Sequence, residues 1–216
     1  KTEIDDAASP YMVASSDLNL TLHDEMAFRY TLLEFSTAIK PSCFKYLFEE
    51  KGYEKAIYLD PDIQVFSPLS DVEDALEHGA SAVLTPHLLK PLEDNKSPGD
   101  IEILRSGTFN LGFAALRNTD ETNLLLEWWQ RQLESHCYID LENGLFVDQK
   151  FMEYAPSFLE HLNILRHPGY NVAYWNLANR DVYRSDDGWR VGDAPLVFFH
   201  FSGVEPDNSR TFSKHQ

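Results

Sequence analysis

Four short runs of apolar residues constrain this chain more than anything else in it: Ala56–Leu59, Ala82–Leu84, Phe109–Leu116 and Leu196–Phe201. Each is of strand length, and none alternates between apolar and polar, so each is expected to be buried on both faces. Asn163–Leu165 adds a shorter candidate. Helical patterns separate these runs. Asp24 can cap a helix to about Phe35, with Met26, Tyr30, Leu33 and Phe35 as its apolar stripe. Lys40-Pro41 restarts a helix that ends by Gly52. Asp71–Leu76 reads as a short helix and Glu121–Ser135 as a longer one, with Leu124, Leu125, Trp128 and Trp129 inward. Asp148–Tyr154 is helical up to Pro156, and Thr85–Arg105 reads as a loop. Strands buried on both faces and alternating with helices predict an α/β layer structure with a mixed, mostly parallel sheet flanked by helices.

In open sheets of this class, ligands bind beyond the carboxyl ends of the strands. The residues to examine are therefore the polar ones that end the runs: Asp60, Asp62, Asn110 and His200. Asp60-Pro61-Asp62 places two carboxylates at i and i+2 on a tight turn, an arrangement that can hold one divalent cation through oxygen ligands. The triplet alone says little, since 18 aspartates in 216 residues give about 1.5 such triplets by chance. Its position says more, because carboxylates at the end of an apolar strand cost stability unless a cation or hydrogen-bond donors satisfy them. An ordinary capping turn remains the alternative on spacing alone.

Charge bears on the same question. With 35 acidic and 18 basic residues the net charge is −17, which disfavours nucleic acid and anionic membrane surfaces as partners. An anionic ligand would need a mediating cation, such as Mn²⁺ or Mg²⁺ bridging acidic side chains to a diphosphate. The Rossmann glycine fingerprint, the phosphate loop, G-x-S-x-G and H-E-x-x-H are all missing from the sequence. No apolar run reaches transmembrane length. The two cysteines, Cys43 and Cys137, are expected to be buried thiols in a reducing compartment. A cytoplasmic location follows, with attachment to the inner face of the membrane through other domains or partners as a variant.

Ala56–Leu69, containing Asp60-Pro61-Asp62, resembles the D-x-D segment of GT-A glycosyltransferases, notably retaining family 8 and related bacterial enzymes of surface-polysaccharide synthesis. Thr37–Pro41, Phe109–Phe113 (F-N-x-G), Asp148-Gln149 and His200–Gly203 (H-x-x-G) follow the family's motifs in its order. The likeness runs from about Asp17 to Gln216. It implies one GT-A-like catalytic domain over residues 1–216, and too little chain before Asp17 for the first strand–helix–strand unit, so an N-terminally incomplete domain is expected.

The resemblance also implies roles. Asp60, Asp62 and His200 would bind Mn²⁺ or Mg²⁺. Lys40, Asp60, Asp62, Asn110, Gly112, Gly203 and Lys214 would bind the donor, with Asn110 on sugar hydroxyls and Gly112 allowing close approach. Asp148 and Gln149 would be catalytic, although Asp148 also suits a helix N-cap. Tyr170, Asn171, Trp175 and Asn176 mix aromatic faces with amides suited to sugars and would serve the acceptor, with His87, at another strand end, as a further candidate; aromatic core is the alternative for Trp175. The expected activity is metal-dependent transfer of a sugar from a nucleotide-diphosphate donor to a glycan hydroxyl, in bacterial polysaccharide or O-antigen synthesis. A non-catalytic nucleotide-sugar- or carbohydrate-binding domain of a larger synthase is the alternative.

Overall fold

The computed structural model describes residues 12–204 and Ser213. After a turn of 3-10 helix at Ser15–Asp17 come α1 (His23–Arg29), α2 (Leu32–Ala38) and α3 (Lys40–Lys45), which continues as a π-helical turn to Glu50. β1 (Lys55–Leu59), β2 (Ile63–Val65), α4 (Ser70–Glu77), β3 (Ala82–Pro86), α5 (Asp100–Ser106), β4 (Phe109–Arg117) and α6 (Asp120–His136) follow. A small hairpin, β5 (Ile139–Asp140) and β6 (Leu145–Phe146), precedes a 3-10 turn over Gln149–Tyr154 that runs into α7 (Ala155–Phe158). The chain ends with β7 (Leu162–Ile164), a 3-10 turn at Tyr174–Asn179, and β8 (Val182–Ser185), β9 (Gly188–Val191), β10 (Ala194–Pro195) and β11 (Phe198–His200).

The result is a mixed α/β structure, but its sheet is not mostly parallel. The central sheet has the order β1-β4-β3-β7. Its β1–β4 and β3–β4 ladders are antiparallel, and the β3–β7 ladder is parallel. β1, β3 and β7 therefore point the same way, while β4 inserts between β1 and β3 in the opposite sense. Asn110 thus begins its strand instead of ending it. It still reaches the edge where β1 and β3 terminate, because β4 is reversed. β11 lies outside this sheet and pairs with β2 in a two-stranded antiparallel ribbon, with His200 opposite Ile63.

β3, β4 and β11 are buried on both faces as expected, whereas β1, at the sheet edge, is not, with Ile57 37% exposed. One face packs Leu84, Leu111 and Ala114 against Met26, Phe44, Phe48, Leu126 and Trp129. The other packs Val83, Phe113 and Ala115 against Val72, Leu76, Tyr170 and Phe198. On β4, Leu111 and Phe113 face opposite layers although they are two residues apart. The β3–β4 register slips at the same place: Leu84 pairs with Ala114 but Pro86 with Phe109. A bulge of this kind re-aims side chains at a sheet edge, and here it carries Asn110 and Gly112.

Local departures have local causes. The helix expected from Asp24 breaks at Tyr30 because Thr31 caps α2 and Glu34 returns a bond to the Thr31 backbone, a reciprocal capping box. Within α6 the inward set is Leu125, Leu126, Trp129 and Leu133, whereas Leu124 is 68% exposed. The Thr85–Arg105 segment contains the end of β3 and the start of α5. Cys137 is buried, Cys43 is half-buried, and both are free thiols.

Candidate functional site

β1 ends at Leu59, and the next residues turn sharply, with Ile63 N–H donating to the Asp60 carbonyl at 3.0 Å. Asp60 N–H is tied to the Gly112 carbonyl of β4 at 2.8 Å, and the Asp62 carbonyl accepts from Phe201 N–H at 2.9 Å. Three strands thereby converge on one point, and Asp60, Asp62 and His200 present one ligand atom each within 4.8 Å of one another. His200 Nε2 lies 3.1 Å from Asp62 Oδ1 and 3.8 Å from Asp60 Oδ2. The hydrogen bond to His200 holds the Asp62 carboxyl below its ordinary range, against the opposing effect of partial burial.

The donor set of two carboxylates and an imidazole suits a divalent cation that accepts nitrogen as well as oxygen, Mn²⁺ more readily than Mg²⁺. The Tyr58 hydroxyl donates to Asp60 Oδ1, so Oδ2 is the oxygen left facing His200. Tyr58 precedes Asp60 by two residues and therefore shares its strand face. That i, i+2 spacing is the one trace of Tyr58's place that the sequence carries. The turn of the imidazole is set from behind: His200 Nδ1 is 3.0 Å from Asn110 Oδ1, and Asn110 Nδ2 is 3.3 Å from His87 Nε2. Gly112 makes room for the ring, since a Cβ there would stand 2.4 Å from His200 Cε1. The space at Gly112 is therefore filled by His200.

Lys40 and Asp148 meet directly beneath this cluster. Lys40 Nζ lies 2.7 Å from Asp148 Oδ2, donates to the Leu111 carbonyl at 2.8 Å, and sits 4.4 Å from the centre of the Tyr58 ring. Asp60 Oδ1 is 3.9 Å away from it. Asp148 holds the N-cap position of its 3-10 turn but makes no side-chain cap bond. Burial pushes its carboxyl up, and the adjacent Lys40 ammonium opposes that shift. Gln149 is likewise engaged at both ends, donating to the Ser106 carbonyl at 2.8 Å and accepting from Leu111 N–H at 3.4 Å.

The residues expected on the acceptor side are all buried. The Tyr170 hydroxyl donates to Asp71, and its ring packs edge-on against Phe198. Asn171 Nδ2 donates to the Pro86 carbonyl, and Asn176 Nδ2 donates to the carbonyls of His87 and Asn171. Trp175 is edge-on to both His87 and His200, 5.3 Å between ring centres in each case. Its Nε1 is buried without a partner among the described residues. A cleft of about 240 Å³ opens beside Trp175, lined by Asp94, Lys96, Ser97 and Tyr174 among others. Gly203 follows the ribbon at a positive φ of 68°. Lys214 lies outside the described residues.

No family model matches the chain. It is 28% identical over 187 residues to the uncharacterized protein YfnD of Bacillus subtilis (strain 168), covering 85% of this chain and 58% of that protein. It is 24% identical over 151 residues to the uncharacterized protein YfnF of the same organism, covering 69% and 50%. The chain thus spans little more than half the length of these relatives. Among solved structures, that of a glycosyltransferase involved in the glycosylation of the major capsid of PBCV-1 is similar, with a TM-score of 0.52 at 13% identity, covering 88% of this chain and 87% of that one. At that identity the likeness establishes a fold shared with that structure, and it does not single out family 8.

Proposed function

We propose that this protein is a metal-dependent glycosyltransferase that moves a sugar from a nucleotide-diphosphate donor to a hydroxyl of a glycan acceptor. The observation that carries this reading is the convergence of Asp60, Asp62 and His200 at one edge of a glycosyltransferase-like sheet. A bound Mn²⁺ or Mg²⁺ would offset the diphosphate's charge and stabilise the leaving group, which a chain of net charge −17 otherwise repels. The chain's own residues do the preparatory work. Tyr58 fixes the Asp60 carboxylate, the tight turn sets Asp62 beside it, and Lys40 holds a positive charge behind them.

An inverting reaction would need a carboxylate base within reach of the acceptor. Asp148, the carboxylate that would take that role, is enclosed and paired with Lys40. This supports retention of configuration, in which the departing phosphate takes the acceptor's proton. The cleft beside Trp175 and Tyr174 is the proposed acceptor side. Surface-polysaccharide assembly is the pathway we propose, on the strength of the family resemblance.

The test is replacement of Asp60 and Asp62 together by Ala, assayed with Mn²⁺ and a panel of nucleotide sugars. We expect turnover to fall by about 10²–10³, as for loss of a major electrostatic contribution, with the far-ultraviolet circular dichroism spectrum retained. Unchanged turnover in a folded double variant overturns the reading. The anomeric configuration of a single-turnover product, read by NMR, then decides retention.

A further inference from the structure

The cleft beside Trp175 continues into a second one. The 3-10 turn Tyr174–Asn179 forms one wall of both, and its Leu177 and Ala178 line each of them. The inner cleft, of about 240 Å³, carries Trp175 and Lys96; the outer, of about 500 Å³, carries Lys90 and Arg180. The facing wall is the segment after β3, and it is pinned in place. Asn176 Nδ2 donates to the His87 carbonyl at 3.0 Å, and Asn179 Nδ2 donates to the carbonyls of Lys90 and Pro91 at 3.2 and 3.1 Å. From Trp175 to Arg180 is five residues, about 10 Å at the rise of a 3-10 helix. Trp175 packs against His200, so the groove leads outward from the Asp60–Asp62–His200 cluster.

Charge distinguishes the outer end. Arg180 is only 6% exposed, and burial with no opposing carboxylate lowers its pKa to about 10, so it stays charged near pH 7. A buried cation is costly unless it is paired and hydrogen-bonded. Nη1 meets part of that need by donating to the carbonyls of Pro168 and Tyr170, the latter at 3.3 Å. Both of its hydrogens are then used. The other edge of the guanidinium, Nε and Nη2, has no partner among the described residues and is not sealed from solvent. Holding the Pro168–Tyr170 turn would need Nη1 alone. The Nε–Nη2 edge is a fork that matches a carboxylate or a phosphate through two parallel hydrogen bonds. Ion pairs among the described residues use Lys40 and Lys55, but neither Lys90 nor Lys96. Asp94 and Asp181 also line the groove, which leaves three cations against two carboxylates in a chain of net charge −17.

We propose that this groove receives an acceptor bearing an oxyanion, a carboxylate or a phosphate, seated on the Nε–Nη2 edge of Arg180 with Lys90 beside it. This rests on reading the cleft beside Trp175 as the acceptor side. The two ends of the groove then have different tasks. The inner end offers ring surface to a sugar, and the outer end fixes the charged group that the acceptor carries. An anion on Arg180 would give the buried guanidinium the counter-charge that the fold withholds. Elsewhere on so acidic a surface the same acceptor would be repelled, so the fork also selects where it docks. Because Asn176 and Asn179 tie the two walls together, the spacing between the ends belongs to the fold and not to the ligand.

The experiment uses the full chain labelled with ¹⁵N and kept in EDTA, so that no probe can bind through a cation on Asp60 and Asp62. Three probes are titrated and followed by ¹H–¹⁵N correlation: methyl β-D-glucuronide for the carboxylate, glucose 6-phosphate for the phosphate, and methyl β-D-glucoside as the neutral control. We expect one anionic probe or both to bind at least about tenfold more tightly than the neutral one, the scale of a charge-assisted hydrogen bond. Whichever binds identifies the oxyanion. Lys90→Glu should remove most of that preference. Arg180→Lys, which keeps the charge but loses the fork, should weaken the preferred probe by about tenfold. Lys90 is exposed, so its variant tests the site whether or not Arg180→Lys folds. Equal binding of the three probes, or no binding of either anion, overturns the proposal. So does a preference for anions that survives Lys90→Glu. If the probes respond to Lys90 while turnover is indifferent to Asp60 and Asp62, the anion site stands and the transferase reading falls. If turnover depends on Asp60 and Asp62 while the probes ignore Lys90, the transferase stands and the anionic acceptor falls.

Discussion

Two clusters of polar side chains lie back to back at one edge of the sheet, and they differ chiefly in depth. In the outer one, the side chains of Asp60 and Asp62 are 26% and 43% exposed and meet a buried histidine. In the inner one, Lys40 and Asp148 are 1% and 2% exposed and meet each other. Both pair carboxylates with a nitrogen base. The inner pair has had its charge matched within the protein, so it has little left to offer a ligand. The outer pair keeps carboxylate oxygens turned toward an opening, with less positive charge than it could use. Ligand capacity at this edge is therefore decided by depth and by where Lys40 ends, rather than by residue type. Asp60 joins the two clusters, since Tyr58 and Lys40 approach one oxygen and His200 faces the other.

The largest effect expected from this contrast is on stability, from the inner cluster. Lys40→Met leaves Asp148 enclosed without its partner, and losing one member of a buried pair costs about 3–5 kcal/mol. Urea denaturation should show it as a lower midpoint. The double variant Lys40→Met, Asp148→Leu removes both charges and should recover most of that loss. Turnover separates two meanings of the pair. Recovery of stability and activity together would make the inner cluster purely structural. Stability regained with turnover still depressed would show that the Lys40 charge is needed behind Asp60. A small loss in the single variant would break the comparison itself.

What could be seen in the sequence follows the same division. β1, β3, β4 and α6 were legible because their patterns are local, and Asp60, Asp62 and His200 because they close or flank apolar runs. The sense of β4 was not, since pairing partners far apart in sequence leave no local trace. The ribbon of β2 with β11 was hidden for the same reason, although it is what delivers His200 to Asp62. α5 was not legible, because Ile101 and Leu104 face outward, 59% and 57% exposed, and Ile103 alone turns inward. The break between α1 and α2 did have a signal, Thr31 followed three residues later by Glu34. Roles inside the site were least legible. Asn110, Lys40 and His87 are polar residues near strand or helix ends, and only the structure reveals their partners, His87 and His200 for Asn110 and Asp148 for Lys40.

The next effect tests whether the residues behind the Asp60–Asp62–His200 cluster are as enclosed as the Lys40–Asp148 pair. His87 titrates near 6.5 in an unfolded chain and at about 4 when folded. Between those values the unfolded state binds more protons, so folding stability rises with pH. The contribution is complete above 6.5 and is lost as pH falls through 4, a total of about 3 kcal/mol for a shift of this size. Denaturation midpoints across that range should therefore fall more steeply for wild type than for His87→Gln. Parallel curves would mean that water reaches His87, and the inner region would lose its defining property there.

The smallest of these effects is expected at Gly112, where the two regions touch. A Cβ at this position would lie 2.4 Å from His200 Cε1, 2.7 Å from His200 Nδ1 and 3.0 Å from Asn110 Oδ1. Overpacking of this kind costs about 1–3 kcal/mol. Either the ring or the backbone must yield, and the two outcomes are distinguishable. The backbone is held from both sides, by the Leu111 carbonyl on Lys40 and the Gly112 carbonyl on Asp60 N–H. The ring is held by Asn110 and Trp175 but borders the more open cluster. Gly112→Ala should therefore push His200 outward, lowering stability at the modest end of that range while weakening Mn²⁺ binding at least about tenfold, the scale seen when a ligand's support is lost. A large stability loss with Mn²⁺ affinity preserved would mean that the β4 backbone moved instead, and that the enclosed side is the softer of the two.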